Sequence, residues 1–292
     1  MVIEEFKQRY FNNPYGDIWL KLRPLAYKVH PYQWPTIGKN IDHIAGASLE
    51  EVEDFFHRFY APDNAILSIS GNITDEKALE LVKKWFGDIP PVHYTRKALP
   101  MEPQQTEERR LVCEHNKVPA DAIYKVYHMG DRQSDNFYTC DTISDILSNG
   151  QSSRLYINLI KNGKLFSEVD AYITGDMDPG LFIFSGKLSE GVAIEEAEAA
   201  IQNEIDRFIE DPISERELQK VINKTEARIS YSEINYQGKS ANLAFFDYLG
   251  DINLINSESN RYAEVSLDSI RQTARELFSA KNCSTLWYLK DK

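Results

Sequence analysis

The sequence predicts an α+β protein in two parts, and three observations carry that prediction. Residues 1–87 place apolar side chains at helical spacing in several separate stretches. A proline-rich break follows at 88–106. Beyond it, short runs that suit strands interleave with longer helical patterns.

In chain order, Ile3, Phe6 and Tyr10 predict a helix over 2–11, which Asn12-Asn13-Pro14-Tyr15-Gly16 stops. Residues 17–47 read as irregular, punctuated by proline and aromatic residues. Ser48-Leu49-Glu50-Glu51 matches a capping box, with Leu49, Val52, Phe55, Phe56 and Phe59 as the apolar face behind it. Asn64–Gly71 reads as a short strand. Thr74 suits the cap of a helix bearing Leu79, Val82, Trp85 and Phe86, closed by Gly87 at the C′ position. Pro90, Pro91, Pro100 and Pro103 make 88–106 the best linker. Strands are predicted at 107–115 and 121–128, and helices at 135–149 and 152–162. Runs at 166–175 and 181–188 flank Asp178-Pro179-Gly180, a hairpin signal. Helices follow at 192–210, at 214–232 behind the box Ser214-x-x-Glu217, at 237–249 and at 266–279, then a strand at 282–289.

Composition excludes several classes. At 292 residues, 42% of them hydrophobic and 27% charged, the chain can bury a sizeable core and reads as soluble and globular. No apolar run approaches the ~20 residues a bilayer span needs. The start, Met1-Val2-Ile3-Glu4-Glu5, shows no signal peptide. A net charge of −12 with no basic stretch argues against nucleic acid and anionic membrane as partners. Cys113, Cys140 and Cys283 are odd in number and far apart, which favours a reducing, cytoplasmic setting over a disulfide framework.

The segment from Ser48 to Asn64 also has an echo between Ser266 and Asn282. In both, a helix-capping serine precedes a strand-opening asparagine by 16 positions, and the copies lie 218 residues apart. If the echo is a duplication, roughly 110 residues equivalent to the front of the second part are missing ahead of the first.

Chemistry-bearing motifs are sparse. The chain has no G-x-G-x-x-G, P-loop, C-x-x-C, G-x-S-x-G, H-E-x-x-H or H-x-x-E-H. Gly150-Gln151-Ser152-Ser153-Arg154 comes nearest to a nucleophile elbow, and its plain reading is a serine-capped helix start. Cys113 and His115 share one face of a strand, either as a thiolate–imidazole pair or as a buried thiol beside a rim histidine. Glu5 stands four residues before Arg9, the spacing of a solvated helical ion pair. His30, with Pro31 and Tyr32, reads as a packed loop histidine.

Four segments, taken in order, carry a resemblance. They are Val2-Ile3-Glu4-Glu5-Phe6, His30-Pro31-Tyr32…Ile37-Gly38, Tyr60-Ala61-Pro62-Asp63-Asn64-Ala65 and Ser152-Ser153-Arg154-Leu155-Tyr156. Together, with the linker in place, they resemble the insulinase/pitrilysin family of zinc metallopeptidases, in its bacterial mitochondrial-processing-peptidase-like branch. The resemblance implies two domains related by duplication, each an antiparallel sheet with helices packed on it. Residues 1–98 would be the back part of the first, truncated domain, 99–104 a linker, and 105–292 the second domain. It also implies a zinc site in which an H-x-x-E-H helix supplies two histidines and the general-base glutamate. A later glutamate completes that site, and the matching position is Glu5, with Glu4 as second choice. The H-x-x-E-H segment would lie upstream of Met1, so the resemblance implies no catalytic residue in this chain, no zinc bound to it and no activity by itself.

In the partner half of such enzymes an arginine and, seven residues on, a tyrosine contact substrate. Here those positions hold Ile160 and Ser167, so this chain resembles the zinc-bearing half. It would borrow the pair from a second half or subunit, as in a dimer, around a peptide-enclosing chamber. The leading expectation is therefore the C-terminal part of the catalytic half of a zinc endopeptidase acting on peptides or small proteins. A catalytically inactive scaffold or partner subunit is the alternative, and an unrelated α+β binding module the third.

Overall fold

The helices of the N-terminal segment form where apolar residues recur at one-turn spacing. The computed structural model describes residues 1–95, 97–115, 118–211 and 213–291. Helix α1 (Val2–Phe6) runs into a π-helical turn, Lys7–Phe11. Phe6 is buried and packs on Tyr10 and Phe11, with ring centroids 4.9 and 5.7 Å away. Gly16 closes this segment: a Cβ there would lie 2.4 Å from the Arg9 carbonyl oxygen, so only glycine fits against the π-turn.

Helix α2 (Ile18–Ala26) occupies a stretch expected to be irregular. Ile18, Leu22 and Ala26, one turn apart, are all buried, and Pro24 lies so near the end that it forfeits only the bond to the Leu20 carbonyl. A six-residue helix, α3 (Ile41–Gly46), also lies within that stretch. Helices α4 (Leu49–Phe59) and α5 (Asp75–Phe86) have the caps their sequences promise. Ser48 and Glu51 complete a capping box, and the Thr74 hydroxyl accepts the Lys77 N–H. Gly87, expected in a left-handed C′ role, instead continues the helical conformation at φ −66°.

The remaining elements are β1 (Arg109–His115), β2 (Ala122–His128), α6 (Phe137–Ser148), a second π-helical stretch (Tyr156–Asn162), β3 (Phe166–Ile173) and β4 (Leu181–Leu188). After these come α7 (Ile194–Glu210), α8 (Glu215–Ser232), α9 (Tyr236–Tyr248), α10 (Leu254–Ala263), α11 (Leu267–Leu277) and β5 (Cys283–Lys290). The strands form one sheet in the order β1-β5-β2-β4-β3. All neighbours are antiparallel except β1 and β5, a parallel pair. The α+β class therefore stands, with one parallel ladder in a sheet expected to be antiparallel. Both sheet faces are covered, so β2 and β4 are buried or half-buried along their whole length. On one face Ile18, Leu22, Ala26 and Tyr27 pack against Ala122, Val126, Leu181, Ile183, Leu286 and Tyr288. On the other, Phe278, just past α11, contacts the rings of Tyr127, Phe182 and Phe184. Gly186 in β4 leaves room for the Phe166 ring, which a Cβ would approach to 2.6 Å.

Contacts divide the chain into two compact units that do not follow the 1–98/105–292 reading of ancestry. One is Met1–Ile41, Leu99–Ile222 and Glu264–Lys292, and the other Asp42–Ala98 with Asn223–Ala263. The 99–104 linker is pinned within the first unit: Glu102 accepts the N–H groups of Lys28, Val29 and His30 at 2.8–2.9 Å. Buried Gln105, just beyond, donates to the Cys283 carbonyl. Arg96 of the proline-rich break lies outside the described residues.

The second unit has hardly any core of its own among the described residues. Its buried apolar residues are Ala61, Phe246, Leu249 and Tyr262, while Leu49, Val52, Phe55, Phe56, Tyr60 and Trp85 are each more than half exposed. Residues 65–70, expected to be a strand, form no ladder. A strand is made by its neighbours' hydrogen bonds, and no described residue supplies them here. The echo nevertheless recurs as local structure. Ser266 builds a capping box on α11 as Ser48 does on α4. A 3-10 turn follows each helix, Pro62–Asn64 and Ala280–Asn282. Asn64 Nδ2 donates to the Phe59 carbonyl at 2.8 Å, and Asn282 Nδ2 to the Leu277 carbonyl at 3.0 Å.

Candidate functional site

Glu5 lies on α1 immediately before buried Phe6. It is exposed, and its carboxylate pairs with Arg9 at 2.8 Å, the solvated i, i+4 geometry its spacing predicts. Glu4 pairs with Lys7 at 3.1 Å. The π-turn after Phe6 shifts the helical register beside Glu5, with the Asn12 N–H donating to the Lys7 carbonyl at 2.9 Å. Such turns recur at functional sites. The second π-stretch carries Ile160, and Ser167 follows on edge strand β3, its hydroxyl donating to the Lys187 carbonyl.

Zinc needs three or four N, S or O ligands around one point. Among the described residues no three His, Cys, Asp or Glu side chains come together that way. The donors among the described residues do not by themselves fit the metal: Glu5 and Glu4 on α1 are held by Arg9 and Lys7.

The other sequence candidates resolve into structural roles. Cys113 and His115 share the half-buried face of β1, where His115 stacks on Tyr288 at 5.7 Å. Burial pushes the Cys113 thiol up, away from thiolate chemistry. Ser153 does stand at a helix start, but the expected cap is not made, since its buried hydroxyl finds no partner. Arg154 instead binds Glu217 through two nitrogens, at 2.9 and 3.2 Å. His30 is buried, as a packed loop histidine should be.

Sequence reasoning missed a part-buried charge network on the α7 side of the sheet. Glu198 accepts from Arg110, from Lys125 at 3.2 Å and from the Trp287 indole at 2.8 Å. Burial opposes its ionisation, but the Arg110 hydrogen bonds and the Lys125 charge outweigh this and hold its carboxyl below the usual range. A groove of about 400 Å³ opens beside the network, walled by Tyr127, Phe278 and Trp287. The one available signal was Lys125, a lysine flanked on both sides by apolar and aromatic residues of β2.

A mixed sheet clothed by helices, carrying a peptidase-like set of motifs, defines a class of protein rather than an activity. The chain belongs to the family described as Peptidase M16 inactive domain, whose profile matches residues 46–225. It is 26% identical to the zinc protease PqqE of Helicobacter pylori, over 98% of this chain and 65% of that protein. It is 22% identical to the uncharacterized zinc protease YmxG of Bacillus subtilis, over 96% of this chain and 66% of that one. The chain thus spans just under two thirds of the length of these relatives. The crystal structure of a protease from Helicobacter pylori superposes with a TM-score of 0.89 at 23% identity, covering 98% of this chain and 70% of that one. No helix among the described residues is long and apolar enough to cross a membrane.

Proposed function

We propose that this chain is the C-terminal part of the catalytic half of a zinc-dependent endopeptidase that cleaves peptides or small proteins. In this reading 1–98 is the back part of a first domain, 99–104 the connection and 105–292 a second, homologous domain. Glu5 is the third zinc ligand of a site whose histidines and general base lie outside this chain. The observation that carries the reading is the uncovered face of the second unit. α4 and the turn Pro62–Asn64 repeat the local structure of α11 and the turn Ala280–Asn282. In the second copy the helix face is buried, with α11 packed against α6 and α7, and β5 lies between a parallel and an antiparallel strand. The same cover for the first copy would be a preceding sheet with its helices. Relatives half as long again, both named as zinc proteases, agree with this. Substrate contacts absent at Ile160 and Ser167 would come from a second half or subunit in a dimer.

The test is to produce the chain joined to the residues its natural gene encodes upstream. Stoichiometric zinc and peptide cleavage, both lost in Glu5→Gln, support the reading. A folded extended protein that binds no zinc overturns it in favour of an inactive scaffold, which the description of the matching family as an inactive domain also suits.

A further inference from the structure

The two ring nitrogens of His30, 2% exposed, are in unequal circumstances. Nδ1 accepts the Tyr32 backbone N–H at 3.2 Å and so caps the 3-10 turn Pro31–Gln33. An imidazole accepting at Nδ1 carries its proton on Nε2. That Nε2 is buried and makes no hydrogen bond, a costly condition for a donor. Asp178 Oδ2 stands 3.5 Å from it. Asp178 belongs to the turn between β3 and β4, which the His30 loop already holds in two places. The Tyr27 hydroxyl donates to the Pro179 carbonyl at 3.1 Å, and the Asp178 N–H donates to the Tyr32 hydroxyl oxygen at 3.2 Å.

We propose that His30 is a proton-operated clasp between the loop 27–34 and the hairpin turn 174–180. Neutral, it caps the Pro31–Gln33 turn and leaves its Nε2 without a hydrogen bond to the Asp178 carboxylate. When Nδ1 takes a proton from solvent, it can no longer accept from Tyr32, whose N–H then faces another donor. The ring, now an imidazolium, draws the Asp178 carboxylate into a charge-assisted hydrogen bond at Nε2. One proton thereby loosens the loop and tightens the hairpin.

Charged and titratable groups approach from every element packed around the ring. The hairpin turn supplies Asp176 and Asp178. The linker supplies Glu102, which accepts the His30 N–H at 2.9 Å. The basic groups are Lys28 of the same loop, Arg23 of α2, bonded to the Tyr32 carbonyl, and Arg109 of β1, bonded to the Leu25 and Ala26 carbonyls. Tyr32 and Tyr27 wall the ring at 4.3 and 6.0 Å between centroids. His128 of β2 lies behind Tyr27 and bonds the Ala26 carbonyl at 3.0 Å.

The experiment is a pH titration of the full chain with 15N-labelled histidine, following the His30 ring nitrogens together with amide hydrogen exchange. As Nδ1 becomes protonated, the Tyr32 amide should exchange about fivefold faster, corrected for its intrinsic rate, as for loss of one neutral hydrogen bond. The Asp178 amide should become better protected in the same step. Asp178→Asn should move His30 protonation to lower pH. His30→Asn, whose Oδ1 stands in for Nδ1, should keep the cap and abolish the response of both amides. A Tyr32 amide indifferent to Nδ1 protonation, or an Asp178→Asn titration that does not move, overturns the proposal. Should His30→Asn fail to fold, the Asp178→Asn titration decides alone.

Discussion

Replacing Glu217 by glutamine removes one negative charge from the start of α8 and leaves the side chain's shape almost unchanged. In the native chain this carboxylate accepts from Arg154 Nε and Nη2 at 2.9 and 3.2 Å, and from the Ser214 backbone N–H and hydroxyl at 3.0 and 2.9 Å. Burial works against its ionisation, but the Arg154 and Ser214 hydrogen bonds outweigh that and hold it at about 2 rather than 4.5. Because the folded value lies below the unfolded one, the stabilisation is fully present above 4.5 and is lost as the pH falls towards 2. Unscreened, a displacement of that size corresponds to about 3 kcal/mol. The side chain is a third exposed, so solvent reduces this to roughly 1–2 kcal/mol. Glutamine can still complete the capping box through Oε1, but its Nε2 then faces Arg154, so the variant removes the charge together with the Arg154 Nε hydrogen bond. Urea unfolding at neutral pH should show Glu217→Gln less stable by that amount, and the gap should close as the pH drops from 4.5 towards 2. A gap that persists undiminished at the acid end would refute the electrostatic account and point to a lost hydrogen bond instead.

Three further outcomes follow from the packing. Glu198→Ala leaves Lys125, 5% exposed, as an uncompensated buried cation and should cost about 3 kcal/mol in urea unfolding; pairing it with Lys125→Met should restore much of the loss. Gly186→Ala drives a methyl into the Phe166 ring, so its melting temperature should fall, by an amount equivalent to about 2 kcal/mol. The echo supplies a matched pair: Val52→Lys on the exposed face of α4 should leave stability within about 0.5 kcal/mol, whereas the equivalent Ile270→Lys, fully buried on α11, should prevent folding, as circular dichroism would show. Equal effects at the two positions would mean that the α4 face is covered in this chain.

Whatever depends on a residue and its near neighbours was legible in the sequence. The capping boxes at Ser48 and Ser214, the capping serine Ser266, the Asp178-Pro179-Gly180 turn and the amphipathic helices all formed where local chemistry places them. So did the family motifs and the Glu5–Arg9 pair, which are matters of spacing along one helix or one segment. What required tertiary structure lay between distant residues. Pro24 reads locally as a break, yet burial of Ile18, Leu22 and Ala26 against the sheet keeps α2 helical through it. Residues 64–71 have the composition of a strand but no neighbour among the described residues to pair with, since ladder bonds belong to two strands and not to one. The parallel register of β1 on β5 joins residues far apart in the chain. The Lys125–Glu198 pair does the same, as does the approach of Asp178 to His30. Spacing along the chain says nothing about such encounters. They arise only when the core closes, because burial then decides which polar groups must find one another.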